Sequence, residues 1–485
     1  IQDLGFESII INNNPETVST DFDTSDKLYF EPLFIEDVYN VVRKEMPKGV
    51  IVQFGGQTAI NLAPKLQSRG VQILGTSVEA IDVAENRKRF ERLLRELDIP
   101  QPRGCAVTNI EEALKAAADI GYPVLVRPSY VIGGRAMMIV YNDSELTGYV
   151  QEATDLSGDH PILIDEYISG CEVEVDAICD REDILIPGIM EHIERTGVHS
   201  GDSYCVYPPQ NLSDKVIDKV IEYTKKISIA LQVSGLVNIQ FVVRDEKVYI
   251  IEVNPRASRT VPILSKITKV PMVKIAMEVI LGEKLKDLPY GIGLKESTSL
   301  VAVKAPVFSF VKLQDVDAAL TPEMKSTGEV LGIDRDYEKA LVKAFLGAGV
   351  RFPERGKVLV SVADMAKKET VAYVKELMKL GFEIIASGTT SDYLTNLNIN
   401  NEKIELTDYT LVEEMMKTGQ IKLMVNIPTV GKDTARTGFK IRSLAEHLDI
   451  PNFTCLDTVG AYITAMKTLR SEEVITYDVI DSYID

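Results

Sequence analysis

The sequence predicts a multidomain protein of mixed α/β and α+β class, with an α/β domain at each end and an α+β body between them. Near both ends, short apolar runs alternate with helical periodicity, which is typical of a parallel sheet with helical crossovers. In the middle, strand-like runs follow one another with few helices, which is typical of an antiparallel-rich sheet. The length of 485 residues suits roughly three domains of about 150 residues each.

The first α/β region begins at a strand-like run without a preceding strand and glycine loop, so this domain is expected to be truncated. Its predicted strands lie at 7–12, 49–54 and 71–74, and a predicted helix lies at 59–68. The pattern changes from about Ser77, and a charged helix is predicted at 85–97. The run Ile-Pro-Gln-Pro at 99–102 is expected to form a hinge, because proline ends helices.

The central body has predicted strands at 123–127, 137–141, 162–167, 172–179, 184–192, 237–244 and 247–253 and predicted helices at 143–153 and 213–231. A run rich in proline, glycine and charge at 351–357 is typical of a linker. Beyond it the predicted elements are strand 358–362, helix 367–380, strands 382–386 and 423–426, and helix 440–448. This alternation indicates a final α/β domain.

Composition and charge narrow the class of protein. Apolar residues make up 45% and charged residues 26%, as in ordinary globular proteins. A net charge of −19 argues against a general affinity for nucleic acid or for anionic membranes. The longest apolar runs are strand-length, and no signal-like segment opens the chain, so a cytoplasmic location is expected. The five cysteines lack C-x-x-C pairing and are expected to be reduced.

The strongest chemical pattern is a pair of runs, GLVNIQFVV at 235–243 and YIIEVNPRASR at 249–259. If both are strands, alternation places Glu252 and Asn254 on one face, with Gln240 reaching them from the neighbouring strand. These side chains offer only oxygen ligands, which suit Mg²⁺ better than zinc. Arg256 and Arg259 follow at once and suit phosphate oxygens. The alternative is a strand end with a solvated polar cap.

Three further segments have features of a nucleotide site. The run VLVRPSYVIGGRA at 124–136 joins Arg127 to a Gly-Gly loop that is also compatible with a simple hairpin. The strand ending near Glu166 and Ile168 offers backbone groups to an adenine edge, and Glu172 offers hydrogen bonds to a ribose, although a plain strand–turn–strand is equally compatible. His192 lies beside acids on an alternating strand, where imidazolium can stabilise phosphoryl charge.

These runs, together with those at 14–33, 52–58, 189–203 and 324–332, closely resemble the second synthetase unit of the carbamoyl phosphate synthetase large subunit. The resemblance implies a biotin-carboxylase-like pre-ATP-grasp domain at 1–76 and an ATP-grasp domain at 77–285. It further implies an extension and linker at 286–354 and a methylglyoxal-synthase-like allosteric domain at 355–485. In that family this unit uses ATP with Mg²⁺ or Mn²⁺ to phosphorylate carbamate to carbamoyl phosphate.

The resemblance assigns site residues by their match to the family's motifs. Nucleotide contacts are implied at Arg127, Glu166, Ile168, Glu172, Gly197, Val198, His199, Ser200, Gln240 and Glu252. Metal ligands are implied at Gln240, Glu252 and Asn254, and catalytic, phosphate-facing positions at His192, Arg256 and Arg259.

The final domain carries a second phosphate pattern, Ser-Gly-Thr-Thr at 387–390, between a predicted strand and helix. The resemblance implies that a nucleotide effector such as UMP is bound at Lys367, Ser387, Thr390, Asn426 and Thr429. A methylglyoxal synthase would have catalytic Asp and His where this chain has Asn-Ile-Pro-Thr-Val-Gly, so regulation is expected.

The family's ornithine-activated enzymes use acidic and hydroxyl contacts at the junction with the final domain. Glu194 and Asp202 fit that pattern, whereas Ala302, Thr454 and Leu456 depart from it. Pyrimidine-nucleotide control is therefore the expectation.

The resemblance also implies partners and a pathway. The N-terminal synthetase half of the large subunit and a glutamine amidotransferase small subunit are expected to work with this chain. The product would feed pyrimidine and arginine biosynthesis. Two other functions remain open from the sequence: another ATP-grasp carboxylase such as a biotin carboxylase, and a non-catalytic nucleotide-sensing subunit.

Overall fold

The computed structural model describes residues 1–128, 137–157, 161–312, 316–428, 437–471 and 475–483. Its strands, in chain order, are β1 (Ile9–Asn12), β2 (Lys27–Phe30), β3 (Val50–Ile51), β4 (Ile73–Leu74), β5 (Gly104–Val107), β6 (Val124–Pro128), β7 (Met138–Val140), β8 (Ile162–Glu166), β9 (Cys171–Asp180), β10 (Ile184–Ile186), β11 (Ile189–Arg195), β12 (Cys205–Tyr207), β13 (Ser234–Arg244), β14 (Lys247–Asn254), β15 (Gly293–Leu294), β16 (Val301–Phe308), β17 (Ser326–Asp334), β18 (Gly356–Val362), β19 (Phe382–Ser387), β20 (Glu402–Ile404), β21 (Ile421–Ile427) and β22 (Asn452–Phe453).

Its α-helices are α1 (Ile35–Glu45), α2 (Gly56–Gln67), α3 (Val78–Glu85), α4 (Arg87–Glu96), α5 (Ile110–Ile120), α6 (Asp143–Ser157), α7 (Asp214–Ala230), α8 (Val261–Thr268), α9 (Met272–Leu281), α10 (Tyr337–Gly347), α11 (Lys367–Lys379), α12 (Gly388–Asn396), α13 (Tyr409–Lys417), α14 (Thr437–His447), α15 (Leu456–Arg470) and α16 (Ile480–Tyr483). Within the described ranges, no helix has both the length and the apolar character that crossing a bilayer requires.

The chain forms two compact units, each assembled from separate stretches of sequence. Unit one comprises Ile1–Gln101, Val173–Ile189 and Asn211–Ser297, and unit two comprises Pro102–Glu172, Met190–Gln210 and Thr298–Asp485.

Unit one begins with two parallel strand pairs, β1 with β2 and β3 with β4. Val38 of α1 and Leu66 of α2 are buried between these pairs and their helices, together with the half-buried Ile11 and Val50. The predicted α/β alternation is therefore present. The rest of unit one contains strands in the order β14, β13 and β9. Strand β13 pairs antiparallel with β14, β10 pairs antiparallel with β9, and β15 pairs parallel with β10.

Within the residues that the structure describes, unit two contains three sheet regions. Strands β5, β8, β6 and β7 form an antiparallel sheet that buries an apolar core against α5 and α6. Strands β11, β12, β16 and β17 pair antiparallel in that order. Strands β20, β19, β18, β21 and β22 form the parallel sheet of the final α/β domain. Phe345 of α10 packs edge-on against Tyr462 of α15, with 5.5 Å between ring centroids.

Two predicted elements were wrong in extent. The helix predicted at 85–97 corresponds to α4, which begins two residues later, because Asn86 caps it by accepting a hydrogen bond from the Arg89 N–H at 3.2 Å. Glu85 ends the preceding helix, α3. The single strand predicted at 184–192 is two strands, β10 and β11, separated by Pro187 and Gly188. Proline has no backbone N–H to continue the ladder.

Candidate functional site

The β13–β14 hairpin of unit one brings the predicted metal ligands together. Its register pairs Gln240 with Glu252 and Asn238 with Asn254, so the four side chains share one face of the sheet. A register shift follows Gln240 and leaves Ile251 without a partner in the ladder. Gln240 and Asn254 are half-buried and Glu252 is exposed.

Hydrogen bonds already order this group. The Asn254 Nδ2 atom donates to Glu252 Oε1 at 2.8 Å, and the Arg256 Nη2 atom donates to Asn254 Oδ1 at 3.3 Å. The donor set of one carboxylate and two amide oxygens fits a hard divalent cation such as Mg²⁺ or Mn²⁺.

The segment after β14 carries Arg256 and Arg259 and is fixed at its first end by Gln53. The backbone N–H of Ala257 donates to the Gln53 carbonyl at 2.9 Å, and the Gln53 amide donates to the Pro255 carbonyl at 3.3 Å. Gln53 is fully buried, and a Cβ on Gly235 would lie only 2.3 Å from its Oε1 atom. The absence of a side chain at residue 235 therefore makes room for this amide.

The other end of the segment is bonded to buried acids on β9. Ser258 Oγ donates to Asp176 Oδ2 at 2.7 Å, and the Thr260 hydroxyl bonds the same oxygen. Asn238 Nδ2 donates to Glu174 Oε1 at 2.7 Å and to Asp176 Oδ1 at 3.2 Å. Burial and the neighbouring Glu174 carboxylate raise the pKa of Asp176, against the effect of these hydrogen bonds.

Sequence reasoning missed this acidic group. Its only local signal is the pair of acids at alternate positions of an otherwise apolar strand, Glu174 and Asp176.

The predicted nucleotide contacts Arg127 and Glu166 lie in unit two on adjacent strands of the β5–β8–β6–β7 sheet. The Arg127 Nε atom donates to Asp165 Oδ2 at 3.0 Å. Arg103 donates to Glu166 Oε2 from its Nε atom at 3.1 Å, and its carbonyl accepts the Glu166 N–H at 2.7 Å. The predicted glycine-rich loop at 129–136 lies outside the described residues.

Thr196 links two of the predicted nucleotide segments. Its hydroxyl donates to the Ile168 carbonyl at 2.7 Å, and its carbonyl accepts a hydrogen bond from the Tyr167 hydroxyl. Gly197 follows with φ +108°, and a Cβ there would lie 2.9 Å from Ile139 and 3.2 Å from the Tyr167 oxygen. Glycine therefore allows this loop to approach the end of β8.

The predicted catalytic residue His192 lies on β11 with its side chain almost wholly buried. Its Nδ1 atom lies 3.3 Å from Glu172 Oε2, within the distance of an ion pair. Glu172 was predicted as a ribose contact, and the structure places it beside His192.

The loop with Val198, His199 and Ser200 is held by β16 and β17. Lys304, which is 1% exposed, donates from Nζ to the Ser200 carbonyl at 2.9 Å. Asp202, the acid that ends this loop, accepts the backbone N–H groups of Lys325 at 2.9 Å and of Ser326 at 2.9 Å.

The predicted effector residues lie at the carboxyl edge of the parallel sheet. Ser387 ends β19 and donates to the Ser361 hydroxyl of β18 at 2.8 Å, and Ser361 pairs in register with Asn426 of β21. Thr390 lies in the first turn of α12, and Lys367 begins α11. This edge is where open parallel sheets bind ligands. Thr429 lies outside the described residues.

Arg442 is a charged residue at this edge that the sequence did not single out. It is 5% exposed, and its Nη1 atom donates to Asn426 Oδ1 at 2.6 Å. Its Nε and Nη2 atoms hold Asp317 Oδ1 and Oδ2 at 2.7 and 2.5 Å. The guanidinium group holds the pKa of Asp317 below its usual value, against the opposing effect of burial.

Three family models match the chain in the order of its domains. They are the carbamoyl phosphate synthase preATP-grasp domain at residues 1–83, the carbamoyl-phosphate synthase L chain ATP binding domain at 86–288, and the MGS-like domain at 369–454. Curated relatives with similar sequences are carbamoyl phosphate synthase large chains, in agreement with these family models. The carbamoyl phosphate synthase large chain of Clostridium acetobutylicum is 55% identical over 484 residues, which cover 100% of this chain and 45% of that one.

This chain belongs to the carbamoyl phosphate synthase large-chain family. The corresponding large chain of Caldanaerobacter subterraneus is 54% identical over 470 residues, covering 97% of this chain and 44% of the relative. The chain therefore spans about half the length of the curated large chains that it matches. The fold class predicted from the sequence, with pre-ATP-grasp, ATP-grasp and MGS-like domains, is confirmed.

Solved structures resemble this chain in fold. The biotin carboxylase complex with β,γ-ATP from Campylobacter jejuni gives a TM-score of 0.57 at 17% identity, covering 70% of this chain and 85% of that one. The biotin carboxylase domain of Hydrogenobacter thermophilus 2-oxoglutarate carboxylase, in complex with MgADP and bicarbonate, gives 0.56 at 18% identity, covering 71% and 85%. At these identities the likeness shows the ATP-grasp fold alone.

Proposed function

We propose that this chain phosphorylates carbamate with ATP to give carbamoyl phosphate, as the C-terminal synthetase half of a glutamine-hydrolysing carbamoyl phosphate synthase large chain. The observation that carries the proposal is the hairpin of unit one. It aligns Gln240, Glu252 and Asn254 on one face and continues directly into the segment with two arginines. Oxygen ligands for a cation, followed at once by guanidinium groups, are the parts that phosphoryl transfer requires.

The chemistry that Mg²⁺ or Mn²⁺ supplies when bound is neutralisation of charge on the phosphate oxygens of ATP. The residues of this chain would hold that cation through Gln240, Glu252 and Asn254. Arg256 and Arg259 would bind phosphate oxygens with their planar forks of N–H donors. Asn254 contacts both Glu252 and Arg256, so it links the cation ligands to the first arginine.

Residues of unit two would bind the nucleotide and orient its phosphates. Proposed contacts are Arg127, Glu166, Ile168, Glu172, Gly197, Val198, His199 and Ser200. Glu172 Oε2 lies 3.3 Å from His192 Nδ1, and a protonated His192 would stabilise negative charge that develops on the transferred phosphoryl group. Thr196 and Tyr167 connect the end of β8 to the loop that begins at Gly197. Because these segments are already ordered, nucleotide binding would cost less conformational entropy.

The final domain is proposed to bind a nucleotide effector such as UMP at Lys367, Ser387, Thr390, Asn426 and Thr429. Hydroxyl and ammonium groups at the carboxyl edge of the parallel sheet support this assignment, because they are donors for phosphate oxygens. The N-terminal synthetase half and a glutamine amidotransferase subunit are the proposed partners, since carbamate and ammonia must be made elsewhere.

The partial reverse reaction tests the catalytic proposal. Purified chain is supplied with ADP, carbamoyl phosphate and Mg²⁺, with and without the complementary half, and ATP formation is followed. We expect ATP to form, and Glu252→Gln to lower its rate by at least about a hundredfold through loss of a ligand charge. The matched control is Glu222→Gln on the exposed side of α7, which should leave the rate unchanged. Absence of ATP formation both with and without the complementary half contradicts the proposal.

A non-catalytic nucleotide sensor is the second candidate, favoured by the ordered edge around Asn426 and Arg442. Calorimetry separates the two functions. A sensor binds UMP and shows no metal-dependent ATP binding, whereas the proposed enzyme binds ATP in a manner that Glu252→Gln weakens.

A further inference from the structure

The phosphate-facing segment of unit one is short, and its two arginines occupy defined places in it. Arg256 directly follows Pro255, and Arg259 lies between Ser258 and Thr260. Gln53 fixes the Pro255–Ala257 end through two backbone contacts. The position of Arg259 therefore depends on what holds the other end.

Asp176 holds that other end. Its Oδ2 atom accepts hydrogen bonds from the hydroxyl groups of Ser258, at 2.7 Å, and Thr260, and these two residues flank Arg259 on both sides. The two hydroxyl oxygens lie 2.7 Å apart, and the Thr260 backbone N–H donates to Ser258 Oγ at 3.0 Å. One carboxylate oxygen thus organises three consecutive residues.

The carboxylate is itself held in place and shielded from water. Asp176 is 1% exposed and Glu174 is 4% exposed, and Asn238 bridges the two acids from β13. Burying two acids side by side costs free energy, because desolvation disfavours the charged forms. Apolar side chains in place of these two acids would make this part of the core more stable. A buried polar network whose members are hydrogen-bonded fixes one conformation of the segments it joins.

We propose that Asp176 is a positioning residue for phosphoryl transfer: through Ser258 and Thr260 it fixes the backbone on both sides of Arg259 and so sets where that guanidinium group lies. This inference rests on the proposed function of Arg259 in binding phosphate. Asp176 itself touches no reacting atom. Its effect on the reaction passes through the arginine.

A double-mutant cycle tests this dependence. Asp176→Asn is measured in the parent chain and in an Arg259→Lys background, which keeps the charge and loses the planar fork. We expect Asp176→Asn to lower kcat of the reverse reaction by at least about tenfold in the parent, because small misplacements of a positioning group are costly. In the Arg259→Lys background we expect less than about a twofold effect, since the arginine is already gone.

The matched control is Asp180→Asn, four residues along the same strand. The Asp180 carboxylate accepts hydrogen bonds from the backbone N–H groups of Glu182 at 3.0 Å, Asp183 at 2.8 Å and Leu285 at 2.9 Å. None of these donors belongs to the segment 255–260 that carries the two arginines. Its effect should be the same factor in both backgrounds. An equal effect of Asp176→Asn in both backgrounds overturns the proposal.

A second measurement does not depend on activity. Hydrogen exchange followed by mass spectrometry should show faster exchange at residues 256–260 in Asp176→Asn and at 182–183 in Asp180→Asn. Unchanged exchange at 256–260 also overturns the proposal. If the parent chain forms no ATP, the proposed function fails, and the exchange result still decides whether Asp176 orders the segment.

Discussion

The guanidinium group of Arg195 donates two hydrogen bonds to the Asp457 carboxylate, from Nη2 to Oδ1 at 2.6 Å and from Nε to Oδ2 at 2.9 Å. The same guanidinium group bonds Glu369 at 2.6 Å. Arg195 ends β11, the strand of His192, whereas Asp457 and Glu369 lie in the first turns of α15 and α11. Strand β11 of unit two is thereby joined to two helices of the final α/β domain.

Arg195→Met should uncouple the effector from the synthetase reaction. Glu369 lies two residues from the proposed effector contact Lys367, so effector-linked movement of α11 would reach β11 through this arginine. Allosteric coupling factors are typically about 5- to 150-fold. We expect the factor by which UMP changes the apparent affinity for MgADP to fall below about twofold in the variant, with the basal rate kept.

The measurement is the reverse reaction titrated with ADP at zero and saturating UMP. Lys417→Met, which removes an exposed ion pair with Glu413 in the same domain, is the control and should keep the coupling. A variant at Arg195 with the parent's coupling factor would show that the signal takes another route.

The buried carboxyl group of Glu194 is expected to make the stability of the protein depend on pH. This acid is 1% exposed, and burial raises its pKa from 4.5 to about 7, although Thr458 and the Tyr204 N–H donate to it. Between pH 4.5 and about pH 7, Glu194 is protonated in the folded state and ionised in the unfolded state. Its contribution to the free energy of unfolding is therefore present below pH 4.5 and is lost as the pH rises to 7, by roughly 3 kcal/mol.

Glu194→Gln should remove that component. The amide can accept from the Tyr204 N–H and donate to Thr458, so both contacts survive. Urea unfolding at pH 5 to 8 measures the difference between parent and variant, which should shift in favour of the variant as the pH rises. Parallel curves for the two proteins would contradict the prediction. The exposed Glu414→Gln serves as the control and should leave the curve unchanged.

Replacing Asn254 with aspartate is expected to change how much a divalent cation stabilises the protein. Its amide donates to Glu252, which an aspartate at this position cannot do. In ADP with EDTA, Asn254→Asp should lower Tm by a few degrees, roughly 2–4 °C per kcal/mol for units of this size, because two carboxylates then face each other. In ADP with Mg²⁺ or Mn²⁺ the extra charge should favour the bound cation, so the rise in Tm should exceed that of the parent.

Differential scanning fluorimetry with and without the cation checks this, and Asn61→Asp on the exposed face of α2 is the control. A metal-induced rise no larger than the parent's would show that residue 254 does not face the cation.

The shared face of Gln240, Glu252 and Asn254 could be predicted from the sequence, because residues close together in the chain determine it. Alternation within two neighbouring runs determines that Glu252 and Asn254 share a face, and a short hairpin brings Gln240 opposite Glu252. The same locality explains the confirmed positions of Lys367 at a helix start and Ser387 at a strand end.

The groups that hold these residues could not be predicted in the same way. Asp176 and Ser258 are 82 residues apart, and Arg195 and Asp457 are 262 apart. Such partners follow from tertiary packing, which strand and helix periodicity does not contain. The capping role of Asn86 was missed for the opposite reason. The charged helical periodicity around it was strong, and a local side-chain hydrogen bond overrode it.

Lys367 provides the most direct test of the effector site. It begins α11, is 8% exposed, and bonds Asp364 Oδ1 at 2.6 Å, so its ammonium group is fixed at the carboxyl edge of the sheet. Charge-assisted hydrogen bonds contribute about 1.5–3 kcal/mol, so Lys367→Met should weaken UMP binding by roughly 10- to 100-fold in calorimetry. The neighbouring Lys368→Met removes the same charge from an exposed position and should change the affinity by less than about twofold. Basal ATP formation should be the same in both variants. Equal weakening by the two substitutions would mean that UMP responds to net charge and not to a phosphate contact at Lys367.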